Sequence, residues 1–264
     1  MTSDKENLSA ARKVCRILAS LSDPKVSRLI DISERTGLDS STCLRLLRDL
    51  ETEGFVERDP QSKEYELGPQ VYAMHVARVA GLDLQALARP SLIRLARRFS
   101  DTAILSVPAG WESVCVDLCL GDYPITANYL RVGSRRPLGV GAGSLALMLP
   151  MSDSEVEAVL PRVHDALKRK YSAYSPQHLQ EVIARGRERG HSLLVDVVVE
   201  KMSGVGVPIC SPGGRPIAAL SVAALTERIV GREQELAEAL KAEAALIEQA
   251  WLPEGHVAEH HKMQ

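Results

Sequence analysis

The first seventy residues contain the pattern that most constrains how this chain of 264 residues can fold. Apolar residues recur at helical spacing twice, from Val14 to Leu21 and from Val26 to Ser33, and each recurrence predicts a short amphipathic helix. We expect the first helix over about residues 8–21. The second should end near Gly37, because glycine adopts the left-handed conformation of a helix C-terminus at low cost.

A third helix and a hairpin follow directly. One of three residues, Asp39, Ser40 or Ser41, caps a helix that runs to about Glu53. Residues 55–58 and 64–67 then read as two short strands joined by a polar turn. Three short helices followed by a hairpin predict a winged helix-turn-helix, a fold whose third helix enters the major groove of DNA.

The third helix has two faces of different chemistry. Four apolar residues share one face: Cys43, Leu46, Leu47 and Leu50. Four polar residues share the other: Ser41, Arg45, Arg48 and Thr52. Hydroxyl groups bind phosphates or bases and arginine binds guanine edges, so this face suits DNA. The alternative is the solvated face of an ordinary helical bundle, and the Gly turn and the hairpin favour DNA binding.

Candidate DNA-binding residues therefore carry hydroxyl or basic groups and lie on the third helix or the hairpin: Ser40, Ser41, Thr42, Arg45, Arg48, Arg58 and Lys63. For Arg58 and Lys63, a solvated hairpin tip is an equally good interpretation. The chain holds 32 Lys+Arg against 34 Asp+Glu, and residues 1–68 hold 11 against 13. This balance excludes a strongly basic coat protein and predicts weak nonspecific binding with a modest salt dependence.

The remainder of the chain alternates predicted strands and helices, which indicates an α+β domain with an antiparallel sheet. We predict strands at residues 103–107, 113–119, 126–131, 192–195, 205–210 and 217–223, and helices at 69–80, 83–99, 143–149, 153–159, 176–189 and 232–251. The expected domains are a winged helix-turn-helix at 1–68, a linker helix at 69–82, a second domain at 83–252 and a disordered tail at 253–264.

Five segments of the chain resemble IclR-type transcriptional regulators, in the same order. They read TGLDSSTCLRLLRDLETEGFVERD, KEYELG, VGSRRPLGVGAGSLALMLP, RERGHSL and GVGVPICSPGGRPIAALSVAALTERI. The resemblance implies that the second domain is a GAF-like effector-binding domain with a ligand pocket on one face of its sheet. It also implies that Ser41, Thr42 and Arg45 lie where the recognition helix meets DNA. Ser40 stands where the family often has a basic residue, which removes one contact.

The best candidate for a ligand site is the glycine-rich stretch 138–144. Glycines let a ligand approach the backbone, and free N–H groups at a helix start attract carboxylate or phosphate. The stretch lacks the Gly-Lys-Ser/Thr of a P-loop, and a tight loop packed on the sheet is the alternative. The resemblance implies that Gly141 and Ala142 donate backbone hydrogen bonds to an effector carboxylate.

The strand at 217–223 alternates, so Ser221 shares a side with Ala219 and Ala223. The resemblance implies two effector-binding serines here, and only Ser221 remains. Gly204 stands where other members carry Cys, and the usual acidic segment is reduced to residues 195–200. These departures predict a wider, more apolar pocket that accepts an aromatic or longer organic acid.

A basic run, Arg131, Arg135 and Arg136, could supply a partner for the effector carboxylate, although surface ion pairing is the simpler interpretation. The candidate effector-binding residues are Gly141, Ala142, Gly143, Ser144, Gly204, Ser221, Ala223 and Arg131. No cofactor or metal is expected, because the five cysteines are scattered and no histidine cluster accompanies them.

The sequence thus predicts a ligand-responsive DNA-binding regulator. Its expected partners are a palindromic double-stranded DNA operator, a small organic acid and further copies of itself, as a homodimer or a dimer of dimers. Without a signal sequence or an apolar run of about 18 residues, we expect a cytoplasmic location and no membrane. The alternative is a non-regulatory small-molecule-binding or catalytic domain with a structural helix-turn-helix, but GxSxG and HExxH motifs are absent from the sequence.

Overall fold

A computed structural model describes residues 8–23, 25–79, 83–126, 129–171 and 175–251. The chain divides into two compact units, residues 1–81 and 82–264. The predicted tail at 253–264 and the last residues of the predicted linker, 80–82, lie outside the described residues.

The first unit is the predicted winged helix-turn-helix followed by one more helix. Its elements are α1 (Ala10–Leu21), α2 (Leu29–Thr36), α3 (Ser40–Thr52), β1 (Val56–Arg58), β2 (Tyr65–Leu67) and α4 (Pro69–Val79). The two strands pair antiparallel with Arg58 opposite Tyr65. Gly37 ends α2 in the left-handed conformation, at φ 70°, as the sequence predicted.

The apolar core of this unit lies between the three helices and the hairpin. The four apolar residues predicted for α3 are all buried in it, together with Ile17, Val56 and Tyr65. The predicted spacing for α2 was wrong by one turn. Ile30 is 63% exposed while Ile32 is fully buried, because the helix begins at Leu29 and its inward face follows residues 29, 32, 33 and 36.

The second unit is built around a six-stranded antiparallel sheet with the strand order β5-β4-β3-β8-β7-β6. Its strands are β3 (Thr102–Ala109), β4 (Glu112–Cys119), β5 (Arg135–Pro137), β6 (Ser192–Val199), β7 (Met202–Cys210) and β8 (Pro216–Leu225). Its helices are α5 (Leu84–Phe99), α6 (Ala142–Ala146), α7 (Asp153–Lys170), α8 (Pro176–Arg189), α9 (Thr226–Val230) and α10 (Glu233–Trp251). The predicted α+β class is confirmed.

The alternation along β8 separates the two faces of the sheet. Ala218, Leu220, Val222 and Ala224 pack into one core with α5 and α10. Ala219 faces a second core with α6, α7 and α8. Alternate residues of a strand point to opposite faces, so Ser221 shares the side of Ala219, as predicted.

Three predicted elements differ from the structure. The strand expected at 126–131 includes residues 127–128, outside the described part of the chain, and its described residues are not in strand; β5 follows it instead. Helix α7 continues past Pro161 to Lys170 because its buried residues, Val156, Leu160, Val163 and Leu167, keep helical spacing across the proline. The short helix α9 was not predicted. Within the described residues, no helix has the length and apolar character to cross a membrane.

Candidate nucleic-acid interface and candidate ligand pocket

The first candidate site is the outward face of α3. Ser40, Ser41, Arg45 and Arg48 are exposed there, and Thr42 is half-buried. Their position follows from the burial of Cys43, Leu46, Leu47 and Leu50 on the other face. The structure therefore brings the predicted hydroxyl and arginine residues of this helix together on one solvent-facing surface.

Asp39 caps the start of this surface. Its carboxylate accepts hydrogen bonds from the Ser41 hydroxyl at 2.6 Å and from the Thr42 backbone N–H at 2.8 Å. These donors hold the pKa of Asp39 well below its ordinary value of 3.8. The carboxylate is thus ionised at neutral pH and occupies the end of the helix dipole that a phosphate would otherwise approach.

The two arginines of α3 differ in their contacts. Arg45 lies 3.8 Å from the Asp49 carboxylate, as an exposed pair one turn apart, and such pairs contribute little to stability. Arg48 has no ion-pair partner among the described residues. Thr52, also on this face, donates its hydroxyl to the Arg48 carbonyl at 2.9 Å and is occupied within the helix.

The hairpin holds its two predicted basic residues differently. Arg58 lies on β1 with its guanidinium 5.2 Å from the centre of the Tyr65 ring. Lys63 lies in the turn at φ 62° and donates from Nζ to the Pro60 carbonyl at 2.5 Å. Both side chains are exposed. Arg58 is therefore held along the strand by its contact with the Tyr65 ring, while the Lys63 side chain folds back over the turn.

Sequence reasoning missed the contacts that fix the hairpin to α2. The Tyr65 N–H donates to the Ser27 carbonyl at 2.7 Å, and Arg28 pairs with Glu64 at 3.2 Å. Arg28 and Glu64 are 36 residues apart, so no local pattern in the sequence could have indicated the pair. These bonds hold the hairpin in a defined position relative to the helix-turn-helix.

The second candidate site is a cavity between the sheet and the glycine-rich loop of the second unit. The space between them is about 570 Å³ when the open solvent at its mouth is included. Seven of the eight predicted effector-binding residues line it: Gly141, Ala142, Gly143, Ser144, Gly204, Ser221 and Ala223. The floor comes from β3, β4, β7 and β8, and the loop lies over it.

Glycines and one serine seat the loop on the sheet. Ser192 donates its hydroxyl to the Ala142 carbonyl at 2.7 Å and to the Gly206 carbonyl at 3.2 Å. A Cβ atom on Gly206 would lie 2.8 Å from the Ala142 carbonyl oxygen, and one on Gly143 would lie 2.9 Å from the Ser221 hydroxyl. The close approach of loop and strands therefore requires glycine at these positions.

Two buried hydroxyl groups of the cavity have no internal partner. Ser106 on β3 and Ser221 on β8 are 7% and 4% exposed, and neither side chain has a hydrogen-bond partner among the described residues. Both hydroxyls open onto the cavity, since the fully buried side-chain polar atoms without a partner among the described residues are Thr102 Oγ1 and His164 Nε2. A polar ligand in the cavity would satisfy both groups.

The segment of β6 that borders the cavity contributes apolar side chains to its lining and no acidic ones. Val197 and Val198 line the cavity. Asp196, beside them, is exposed and accepts a hydrogen bond from the Thr226 hydroxyl instead. Cys115 also lines the cavity, and burial raises the pKa of its thiol to about 11. The cavity therefore presents a neutral thiol and no carboxylate from its lining residues.

Arg131 is the predicted residue that the structure does not bring to the cavity. It is exposed and begins a turn in which its N–H and carbonyl both bond Ser134, at 2.9 Å each. Arg136, on β5, lines the cavity instead. Because Ser113 pairs with Arg136 and Val114 with Arg135 across the strands, neighbouring arginines of β5 point to opposite faces, which a basic run in the sequence does not reveal.

Comparison with known proteins gives matches over both units. The family model for the IclR helix-turn-helix domain matches residues 10–60, and the model for the C-terminal part of bacterial IclR transcriptional regulators matches residues 76–249. The HTH-type transcriptional regulator XynR of Escherichia coli is 29% identical over 202 residues, which cover 76% of this chain and 80% of XynR.

Solved structures show the same fold. A putative IclR transcriptional regulator from Silicibacter superposes with a TM-score of 0.78 at 23% identity, covering 91% of this chain and 95% of that one. An IclR homolog from Microbacterium hydrocarbonoxydans, complexed with 4-hydroxybenzoate, superposes with a TM-score of 0.66 at 25% identity, covering 90% and 96%.

Proposed function

Because the chain belongs to the IclR family of bacterial transcriptional regulators, we propose that it binds its operator through the exposed face of α3 and an organic acid in the cavity of its second unit. The family is one of ligand-responsive DNA-binding regulators, and the alternative of a catalytic domain with a structural helix-turn-helix is not favoured. We propose which residues contact DNA, which residues bind the effector and to which chemical class the effector belongs.

For DNA, the supporting observation is the exposure of Arg45 and Arg48 opposite a fully packed apolar face. Ser40, Ser41 and Thr42 precede them at the start of the same helix. Arg58 of the hairpin would contact phosphate, and Lys63 would do so after releasing the Pro60 carbonyl. The regulator acts as a homodimer or a dimer of dimers on a palindromic operator, because two-fold symmetric proteins bind symmetric half-sites.

For the effector, the supporting observation is the pair of serine hydroxyls that line the cavity without a hydrogen-bond partner among the described residues, Ser106 and Ser221. Gly141, Ala142, Gly143, Ser144, Gly204 and Ala223 surround the same space. Val197, Val198 and Ala223 make the lining too apolar for a very small keto acid, so the effector is an aromatic or longer organic acid. The relative complexed with 4-hydroxybenzoate supports this class.

The direct test uses a DNA fragment from upstream of the gene for this protein. The full chain should bind a palindrome in this fragment, protect it from nuclease and bind a scrambled fragment far more weakly. Calorimetry should show that benzoates bind more tightly than glyoxylate or pyruvate. Tight binding of pyruvate with no binding of benzoates would overturn the proposed effector class, and failure to bind the palindrome would overturn the operator assignment.

A further inference from the structure

Arg136 differs from the other described half-buried arginines of the second unit, which are Arg135, Arg228 and Arg232. Arg94, Arg98, Arg187, Arg228 and Arg232 each pair with a carboxylate. Its neighbour Arg135 pairs with Glu112 at 3.0 Å. Arg136 is half-buried, and its side chain has neither a hydrogen bond nor an ion pair with any described residue. Its guanidinium lies over the Tyr129 ring, whose centre is 5.1 Å from Cζ.

Its surroundings do not neutralise this charge. The groups whose charges act on Arg136 are Tyr129, Tyr171 and Cys115, and none is a carboxylate. Burial lowers the pKa of Arg136 from its ordinary value, but a guanidinium remains protonated at neutral pH. Burial also raises the pKa values of Tyr129 and Cys115, so both stay neutral. The cavity therefore holds one positive charge and no negative charge among its lining residues.

The guanidinium also lies next to the glycine-rich loop. A Cβ atom on Gly141 would lie 3.3 Å from Nη1 of Arg136, and Gly141 has a φ of 101°. The backbone conformation requires glycine at this position, and a side chain there would also lie against the guanidinium. The loop and the arginine together leave a planar donor facing the cavity that also contains the Ser106 and Ser221 hydroxyls.

An unpaired guanidinium in a partly apolar cavity has a specific chemical complement. Arginine presents two parallel N–H groups that match both oxygens of a carboxylate, and low local polarity strengthens the interaction. Leaving such a cation without a partner costs free energy, which a bound anion recovers. The Tyr129 ring lies 5.1 Å from Cζ of this guanidinium and restricts its movement.

We propose that Arg136 anchors the effector, and that the effector is a monocarboxylate whose acid group binds the Arg136 fork while its apolar body lies toward Val198 and Met202. This inference rests on the proposed ligand-sensing function and names the residue that selects the acid. One anchoring charge and an otherwise neutral lining disfavour dicarboxylates and amino acids, which would bury a second charge without a partner. Tyr129 is a positioning residue that acts through Arg136.

The test compares acids with their neutral amides on the full chain. The ligands are benzoate, 4-hydroxybenzoate and phenylacetate, each paired with its amide, and calorimetry and thermal shift measure binding. We expect the preferred acid to bind the native protein at least tenfold more tightly than its amide. Arg136→Met should abolish this preference, and Arg136→Lys should retain the preference for the acid with weaker binding, because lysine keeps the charge and loses the fork.

Arg131→Met is the matched control, since it removes an exposed arginine five positions earlier in the same basic run. It should leave the preference for the acid unchanged. The inference is overturned if amides bind as tightly as acids, if Arg136→Met keeps the preference, or if none of the acids binds the native protein. It is also overturned if Arg136→Met lowers the melting temperature while ligand selectivity stays native, which would indicate a structural role.

Operator binding by the ligand-free protein is measured in parallel, which separates the two proposals. In the native protein, equal binding of acid and amide together with intact operator binding would overturn the role of Arg136 alone. Preferential binding of the acid with no operator binding would support the role of Arg136 and overturn the operator assignment. Arg136→Met should bind the operator like the native protein and respond to no acid, because its side chain lies in the second unit.

Discussion

Arginine side chains on the two candidate sites share one property: they are not committed to a strong internal partner. Arg48 has no ion pair among the described residues, and Arg45 has a weak exposed one at 3.8 Å. Arg136 contacts an aromatic ring. A guanidinium that is already bonded within the protein gains little from an added anion, so the free arginines are the ones placed to bind phosphate, bases or an effector.

Arg48→Ala tests the recognition face at this scale. The variant should lose about 1–3 kcal/mol of operator binding if Arg48 contacts a base, with no change in melting temperature because the side chain is exposed and unpaired. Fluorescence anisotropy with a labelled operator measures the affinity. Arg97→Ala is the control, since Arg97 is exposed at the end of α5 in the other unit, and equal losses in both variants would contradict the assignment.

For single residues, the sequence predicts which chemical groups a site uses better than it predicts which of several like residues lies in the site. The alternation of the strand predicted the shared side of Ser221 and Ala223, while the roles of Gly141, Ala142 and Gly204 came from the resemblance to IclR-type regulators. The anchoring arginine was not predicted, because Arg131, Arg135 and Arg136 look alike in sequence. Only the pairing of β5 with β4 and the turn at Arg131 show which of the three lines the cavity.

Elements in this chain depend on a few capping and packing residues. Asp39 caps α3 through the Ser41 hydroxyl and the Thr42 N–H. Gly206 lets β7 approach the Ala142 carbonyl, which seats the loop over the cavity. Each contact can be removed by one substitution whose effect is confined to its own element, so the helix and the loop can be tested separately.

Asp39→Ala should lower the melting temperature at neutral pH. Folding lowers the pKa of Asp39, so its stabilising effect is fully present above the ordinary value of 3.8 and is lost as the pH falls through the folded pKa. The deficit of the variant should therefore shrink below pH 3.8. Asp39→Asn should retain most of the cap, because asparagine is an equally good N-cap. A deficit independent of pH would contradict this account.

Gly206→Ala tests the seat of the glycine-rich loop. The added Cβ would meet backbone atoms 2.8 and 2.9 Å away, which cannot move without displacing the loop. We expect a loss of about 1–3 kcal/mol in unfolding free energy, typical of overpacking, together with weaker acid binding. Chemical denaturation measures the first effect and calorimetry the second. Gly213→Ala, where nothing lies within 4 Å, should change neither.

The sequence predicted the type of each helix and strand more reliably than the residues at which it begins and ends. Periodicity predicted α1, α3, α8 and most strands because their apolar faces are local patterns. The prediction of the buried face of α2 was wrong because Val26, which is buried, lies before the helix begins. Its spacing from Leu29 resembles a first helical turn. The three-residue strand β5 forms through pairing with β4 and has no local signal of its own.

On the scale of the whole molecule, charge balance constrains how DNA is bound. The first 68 residues carry 11 basic and 13 acidic groups, and this net negative charge disfavours nonspecific binding to DNA. The four basic residues of the α3 face and the hairpin, Arg45, Arg48, Arg58 and Lys63, are the available cations of the proposed interface. Affinity must therefore come from a few placed contacts and from binding as an oligomer.

The salt dependence of binding to a half-site fragment tests this balance. Four phosphate contacts would give a slope of log affinity against log salt no steeper than about −4, at roughly −0.9 for each contact. Arg58→Ala should reduce the slope by about one if it contacts phosphate. A half-site slope near −10, the size known for the lac repressor, would show that further cations contribute.

The most direct test of the central claim, that acid binding in the second unit controls operator binding by the first, is the operator affinity of the full chain with and without its preferred acid. We predict a change of about 5–150-fold, the range of typical allosteric coupling, and the reciprocal change in acid affinity when operator is bound. Arg136→Met should show neither change while retaining native operator affinity. An acid that binds by calorimetry yet leaves operator affinity unaltered would contradict the account.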